Sequence, residues 1–290
     1  MDSVSERSKA KLNLSLDVLS RREDGYHDLK MVMCSVEVWD DVTVELRRDG
    51  ECRAESNYPW LPGDQRNLAV KAAQAFFDAL GEPNPGVTVR MKKRIPVGAG
   101  MAGGSANAAA VLRALNRLCQ AGMTADELRH IGLTVGSDVP YCVEGGFALA
   151  MGRGEILTPL PSLPACHVVV AKPSFSVSTA ELFHRLDASP LKTHPDTAGL
   201  LSAMENGDLP GMARRMYNVF EDVLPRASAE IRTIRSRLLD KGALGAVMTG
   251  TGSAAFGIFD QREAAEAAWS ELRRRYRDCF MTSFAEKNDI

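Results

Sequence analysis

The sequence predicts a protein of mixed helices and strands, an α/β fold of α+β type, arranged in two domains. Strand-like and helix-like periodicities follow one another along the whole chain. A length of 290 residues, 45% of them hydrophobic, corresponds to one large domain or two of ordinary size with a real core. The proline-rich stretch LTPLPSLPAC has neither periodicity and marks a candidate boundary near residues 157–165.

In the first half, alternating residues predict a half-buried strand at 12–19. A helix is predicted to begin after Asn67 and to stop at Gly81, and Thr124 with Glu127 forms a capping-box pattern. The segment 136–142 is predicted as a loop and 145–155 as a hairpin region. The remaining predicted elements are strands at 31–39, 41–48 and 86–95 and helices at 106–121 and 124–133.

Beyond the boundary, helices again alternate with strands. The second half is predicted to contain strands at 167–173 and 245–259, and helices at 179–186, 197–206, 209–223, 228–241 and 262–276.

Composition and charge exclude several classes of protein. Lysines and arginines number 35 against 37 aspartates and glutamates, a formal charge of −2, which argues against a nucleic-acid partner. No apolar run approaches the roughly 18 residues that span a membrane, and the first residues lack the apolar core of a signal peptide. The six cysteines show no CxxC pair and no zinc-ligand spacing. We therefore expect a soluble, cytoplasmic protein with reduced thiols and no structural metal.

The segment PVGAGMAGGSAN, at 96–107, carries the clearest chemical signal. Closely spaced glycines between a strand and a helix let the backbone approach a ligand, and the helix N-terminus adds partial positive charge. The segment therefore predicts a phosphate-binding loop. Gly98, Gly100 and Gly103 also satisfy GxGxxG, which leaves an NAD-dependent dehydrogenase as an alternative, although the acidic residue expected about 20 positions later is missing. No lysine follows the glycines as a Walker A loop requires.

Four segments together resemble the GHMP kinase family. They are PVGAGMAGGSANAA, SKAKLNLSLDVLSRREDGYHDLKMV, GSDVPYCVEGGFALAMGRGE and MTGTGSAAFGIF. The resemblance implies a two-domain GHMP kinase fold, with a ribosomal-S5-domain-2-like nucleotide domain at 1–160 and a ferredoxin-like domain at 161–290. It also implies ATP as phosphoryl donor, Mg²⁺ entering with the nucleotide, a small-molecule acceptor, and a monomer or homodimer.

The resemblance assigns roles to individual residues. Asp138 matches the catalytic aspartate and Lys11 the catalytic lysine, with Lys9 on the same strand as an alternative. At the position that matches Ala106, this family commonly has a serine. At the positions that match Met101 and Ala102, glycine is common. The nucleotide loop is predicted to comprise Pro96, Val97, Gly98, Ala99, Gly100, Met101, Ala102, Gly103, Gly104, Ser105 and Ala106.

The segment DGYH resembles members that phosphorylate a hydroxyl of a diphosphocytidyl sugar alcohol in non-mevalonate isoprenoid synthesis. By this resemblance Tyr26 and Phe183 stack on the cytosine, His27 reads its edge, and Asn13 is a candidate to bind the sugar-alcohol part. Phe183 fits a core position of an amphipathic helix equally well. A homoserine or mevalonate kinase is the alternative within the family.

Overall fold

A computed structural model describes residues 3–188, 191 and 193–290. The strands are β1 (Ser3–Arg21), β2 (His27–Leu46), β3 (Cys52–Ser56), β4 (Val87–Lys92), β5 (Phe147–Gly152), β6 (Ile156–Pro159), β7 (His167–Lys172), β8 (Tyr217–Asn218), β9 (Gly245–Met248), β10 (Ala255–Phe259), β11 (Asp278–Thr282) and β12 (Phe284–Ala285). The helices are α1 (Leu68–Leu80), α2 (Gly103–Leu118), α3 (Ala125–Val135), α4 (Val139–Glu144), α5 (Thr179–Ala188), α6 (Thr197–Glu205), α7 (Leu209–Arg214), α8 (Ala229–Asp240) and α9 (Arg262–Leu272). No helix of the described ranges is long and apolar enough to cross a membrane.

Two sheets organise the chain. The larger sheet runs β3-β4-β2-β1-β8, and the long strand β2 also pairs with β5 and β12. Helices α1 and α2 pack on this sheet and on each other, and α3 packs on α1, α2 and α4. The smaller sheet runs β11-β7-β10-β9, is antiparallel throughout, and carries α8 and α9. Because β8 and β12 come from the second half of the chain but join the larger sheet, the two halves are joined by backbone pairing as well as by side chains.

The central part of β1 is buried on both faces. Residues Ala10 to Val18 are all buried, so the prediction of a half-buried strand is wrong. Leu12 and Leu14 pack in a core shared with Val168 and Phe256 of the smaller sheet. The polar residues that alternate with them are covered as well, which places charged and amide groups in the interior of the molecule.

The capping signals are confirmed. Asn67 accepts a hydrogen bond from the Ala69 N–H and Gly81 ends α1 in the left-handed conformation. The Thr124–Glu127 capping box is formed at the start of α3. These features succeed because each depends on residues within a single helical turn.

Several elements differ from the prediction. The segment predicted as two strands at 31–48 is the single strand β2, and the predicted strand 245–259 is interrupted by a loop between β9 and β10. The predicted helix 209–223 stops at Arg214, since Asn218 lies in β8 and its amide donates to the carbonyls of Met248 and Gly250. The predicted loop at 136–142 contains the start of α4. Strands β3, β6, β8, β11 and β12 were not predicted, and β6 extends into the proline-rich stretch at 157–165, where no strand was expected.

Candidate active site

A cavity of about 1050 Å³ lies where the two halves meet. This volume lies at the upper end of the roughly 300–1,000 Å³ of common small-molecule sites. The predicted loop at 96–105, the start of α4, part of α5 and the loop between β9 and β10 all contribute to its wall. The predicted site residues that line it are Lys11, Tyr26, His27, Pro96, Val97, Gly98, Ala99, Gly100, Met101, Ala102, Gly103, Gly104, Ser105, Asp138 and Phe183.

The glycine-rich loop ends in the first turn of α2, whose N-terminus has no side-chain cap. Its first N–H groups are therefore available to an anion. The residue before the helix, Ala102, adopts the left-handed conformation (φ 54°), which favours glycine. Ala106 lies one turn further on, is buried in the core and does not line the cavity. The predicted nucleotide loop is thus placed on the cavity from Pro96 to Ser105 only.

The loop between β9 and β10, residues 249–254, packs directly against the first loop. The hydroxyl of Thr249 donates to the carbonyl oxygen of Gly100 at 3.1 Å, and the Ala254 N–H donates to the carbonyl oxygen of Ala99 at 3.2 Å. Gly100 has φ 73°, and a Cβ there would lie 2.1 Å from the carbonyl oxygen of Thr249. Gly100 is therefore required by contact between the two loops.

Lys11 and Asn13 connect β1 to both loops. The Lys11 Nζ donates to Asn13 Oδ1 at 2.5 Å, and the Gly250 N–H donates to the same oxygen at 3.0 Å. Asn13 is completely buried and does not line the cavity, so its amide orients Lys11 and the second loop. Lys9 points elsewhere, because its Nζ pairs with Glu37 and with the carbonyl of Glu286.

Asp138 occupies the N-cap position of α4, but its side chain makes no capping hydrogen bond. The carboxylate lines the cavity together with Lys11, and no ion pair within 4.0 Å joins the two in the described part of the chain. Burial raises the pKa of the Cys142 thiol, and the Asp138 carboxylate raises it further while Lys11 opposes both. Both charges therefore act on one buried thiol, as expected for groups on the same side of the site.

The aromatic end of the cavity is formed by three predicted residues. The His27 imidazole stacks on the Phe183 ring with centroids 4.5 Å apart, and its Nε2 donates to Asp187 Oδ1 at 2.7 Å. Phe183 also meets Phe220 edge-on at 4.9 Å. Tyr26 is half exposed and has the Arg153 guanidinium over its ring, 3.8 Å from the centroid. Phe183 is therefore both a packing residue and part of the cavity wall.

Sequence reasoning missed a buried polar network beneath the first loop. The Lys93 Nζ donates to a carboxylate oxygen of Asp40 and, at 2.6 Å, to Asn107 Oδ1. The other carboxylate oxygen of Asp40 accepts the backbone N–H groups of Arg94 and Ile95. The network joins β2 to the beginning of α2, and Lys93 also lines the cavity. The position of Lys93 shortly before the glycine-rich segment was the signal in the sequence that could have pointed to this lysine.

A further part of the wall was missed because it carries no motif. It is mostly apolar and lies beside the glycine-rich loop, and its residues are Leu61, Pro62, Arg66, Asn67, Leu68 and Met91. Asn67 was recognised only as a helix cap.

The sheet that carries the loop excludes the dinucleotide alternative. Strand β4, which precedes the loop, is parallel to the short strand β3 on one side but antiparallel to β2 on the other. A doubly wound dinucleotide fold has parallel strands on both sides of its GxGxxG turn. The motif here is therefore a coincidence of glycine spacing.

Comparisons with known proteins agree with this geometry. Residues 67–146 match the GHMP kinases N terminal domain and residues 200–278 match the GHMP kinases C terminal domain. The chain is 43% identical over 277 residues to the 4-diphosphocytidyl-2-C-methyl-D-erythritol kinase of Alkaliphilus metalliredigens, covering 96% of this chain and 95% of that protein. It is 41% identical over 286 residues to the protein of the same name from Clostridium perfringens, covering 98% and 99%.

Solved structures give the same result. A crystal structure of 4-(cytidine 5'-diphospho)-2C-methyl-D-erythritol kinase matches with a TM-score of 0.79 at 32% identity, covering 97% of this chain and 99% of that one. The L. major mevalonate kinase has a TM-score of 0.76 at 18% identity, covering 98% and 97%, which shows the fold alone. These matches confirm the predicted GHMP kinase fold. The chain belongs to the GHMP kinase family and is a small-molecule kinase.

Proposed function

We propose that this protein transfers the γ-phosphoryl group of ATP to the 2-hydroxyl of 4-diphosphocytidyl-2-C-methyl-D-erythritol. One observation carries this proposal: a single cavity is lined by the uncapped, glycine-rich start of α2, by Lys11 and Asp138, and by the aromatic residues at its other end. The activity named for relatives at about 40% identity over nearly the whole chain supports the same acceptor.

ATP would lie along the glycine-rich loop. The N–H groups at the start of α2 would receive its phosphates, because a helix N-terminus without a side-chain cap favours an anion. The apolar wall of Leu61, Pro62, Leu68 and Met91 would accommodate the purine. Mg²⁺ would enter with these phosphates, and the Ser105 hydroxyl supplies an oxygen ligand of the kind it prefers. A Cβ on Gly136 would lie 4.0 Å from Ser105 Oγ, so this hydroxyl is adjacent to the segment that carries Asp138.

Lys11 and Asp138 would act on the acceptor hydroxyl. Asp138 accepts its proton while the oxygen attacks the γ-phosphorus, and the bond from that phosphorus to the bridging oxygen of ADP breaks. Lys11 stabilises the negative charge of the transferring group. Its anchor on Asn13 keeps the ammonium in place without a carboxylate that would neutralise it.

The cytosine would bind at the aromatic end. Because His27 and Phe183 are already stacked, no base fits between those two rings. No direct ring contact joins Tyr26 to Phe183 among the described residues, which is compatible with a base between them. The Asp187 carboxylate binds Nε2 of His27 and fixes the ring. The other ring nitrogen, Nδ1, would then form a hydrogen bond with the edge of the base.

We further propose that the protein acts in the cytoplasm as a monomer or homodimer, with a domain boundary at residues 160/161. The connection from β6 to β7 at 160–166 runs between the larger and the smaller sheet, which supports that boundary.

The direct test measures ADP formation by the purified protein with four acceptors at equal concentration. They are the diphosphocytidyl substrate, its uridine analogue, homoserine and mevalonate. We expect turnover with the cytidyl compound and at least tenfold less with the others, because a mismatched base edge leaves buried polar groups unpaired, at a cost of about 10-fold or more. Turnover with homoserine or mevalonate and none with the cytidyl compound would overturn the proposal.

A further inference from the structure

Arg153 is a cation in the cavity wall that no motif assigns to a task. It lies in the turn between β5 and β6, and its guanidinium carbon is 3.8 Å from the centroid of the Tyr26 ring. Its Nε is buried without a hydrogen-bond partner. The terminal nitrogens likewise have no acceptor and no carboxylate within 4.0 Å among the residues that the structure describes.

The other cations of the cavity show how unusual this is. Lys93 is paired with Asp40, and Arg66 with Asp64. Lys11 donates to an amide oxygen at the end of the cavity that holds Asp138. Arg153 is the second cation of the wall without a carboxylate partner in the described chain, and it lies at the Tyr26 end.

Neighbouring groups do not account for the free guanidinium. The Glu155 carboxylate accepts the Arg153 backbone N–H at 2.6 Å, but within the described chain it forms no ion pair with the guanidinium. The pKa of Asp24 is lowered chiefly by the Tyr26 N–H and only slightly by Arg153. The Asp24 carboxylate is instead bound by Arg22 and by that N–H. An arginine needs acceptors for its planar set of donors, and phosphate oxygens are among the best.

We propose that Arg153 binds the diphosphate of the acceptor substrate and selects acceptors that carry one. This inference rests on the proposed function, which places a base at the aromatic end and a hydroxyl at Asp138, with the diphosphate between them. The stacking of Arg153 on Tyr26 orients the guanidinium and leaves the other face of the ring for the base.

The test compares two fragments that differ only in their phosphates. The affinities of cytidine and cytidine 5'-diphosphate are measured by calorimetry with saturating Mg-ADP, which occupies the nucleotide end of the cavity. The measurements use the unsubstituted protein, Arg153→Gln, Arg153→Lys and the matched control Arg262→Gln. Arg262 is exposed on α9, outside the cavity.

We expect Arg153→Gln to weaken diphosphate binding about 10- to 100-fold, the range for hydrogen bonds to charged groups. Cytidine binding should change less than about threefold, since the base contacts remain. Arg153→Lys should restore part of the loss because it keeps the charge, and Arg262→Gln should change neither affinity. Equal losses for both fragments would show that Arg153 merely supports Tyr26 and would overturn the inference, as would no loss for either. Failure of the unsubstituted protein to bind either fragment would overturn the proposed function itself.

Discussion

The imidazole of His27 lies on the phenyl ring of Phe183, with the two planes inclined by 21° and the centroids 4.5 Å apart. The two residues are 156 positions apart in the sequence and come from β2 and α5. The stack closes one side of the aromatic end of the cavity, and Asp187 holds the imidazole from the same helix that carries Phe183. The proposed base site and the contact between the two halves of the chain therefore share the same rings.

Loss of an aromatic face at this end should affect only the acceptor. We expect Phe183→Ala and Tyr26→Ala to raise the KM for the cytidyl substrate about 5- to 150-fold, since base stacking contributes roughly 1–3 kcal/mol. The KM for ATP should stay nearly unchanged. Steady-state kinetics with both substrates measure this.

Phe183 also packs on Phe220, so a structural effect must be separated from a binding effect. Phe183→Leu keeps most of the packing volume but removes the aromatic face. If Phe183→Leu retains the normal KM while Phe183→Ala loses thermal stability, Phe183 is a core residue only. His27→Ala should reduce the preference for cytidine over uridine.

Asp138→Asn removes the proton acceptor and keeps the shape of the side chain. We expect kcat to fall about 10²- to 10⁴-fold, the range for a positioned acid–base group. ATP affinity, measured by calorimetry, should be unchanged because the phosphate loop is separate. The control is Asp240→Asn at the exposed end of α8, outside the cavity, which should leave kcat unchanged. Near-normal turnover of Asp138→Asn would remove Asp138 from the reaction.

Asn13→Ala tests the positioning of Lys11. The substitution deprives both the Lys11 ammonium and the Gly250 N–H of an acceptor, so we expect a loss of about 1–3 kcal/mol in the free energy of unfolding. It should also lower kcat. The control is Asn84→Ala, since Asn84 Oδ1 accepts the Gly86 N–H in a turn away from the cavity. The control should lose stability and keep its kcat, and an equal kcat for both variants would assign Asn13 a purely structural role.

Two neighbouring glycines should respond differently to alanine. A Cβ on Gly104 would lie 3.5 Å from Leu68 Cδ1, an ordinary contact at the edge of the cavity. We expect Gly104→Ala to keep its melting temperature and to raise the KM for ATP. A Cβ on Gly103 would lie 3.0 Å from Ile95 Cγ2, in the interior, so Gly103→Ala should lower the melting temperature. An unchanged KM for Gly104→Ala would show that this part of the loop does not approach the nucleotide.

Ala102→Gly should not destabilise the protein. Ala102 has φ 54°, a conformation that costs a residue with a Cβ about 1–2 kcal/mol. Relief of that strain offsets the greater freedom of glycine in the unfolded chain, so we expect a change between zero and about 1 kcal/mol of stabilisation. Ala267→Gly, at an exposed position within α9, should instead cost about 1 kcal/mol. Denaturant unfolding measures both, and equal losses would contradict the role of the backbone conformation.

Local features were predictable from the sequence because neighbouring residues determine them. Each helix cap involves residues of a single turn. This holds for the cap of α1 at Asn67, for its end at Gly81 and for the capping box of α3. The glycine-rich loop and the helix behind it are likewise one continuous segment. The family resemblance added Lys11 and Asp138 as candidate catalytic residues, and the structure places both on the cavity wall.

The tertiary structure decided what those features do. Gly98 and Gly100 were predicted to admit a phosphate, yet a Cβ at these positions would lie 2.3 Å from Ser176 Oγ and 2.1 Å from the Thr249 carbonyl oxygen. Asn13 was predicted as a candidate to bind the sugar-alcohol part, and the structure places its buried amide oxygen on the Gly250 N–H. Arg153 reached Tyr26 only through the pairing of β5 with β2. Each of these contacts joins residues more than 70 positions apart. They could not be predicted, because the spacing of residues along a chain determines only which neighbours share a turn or a face.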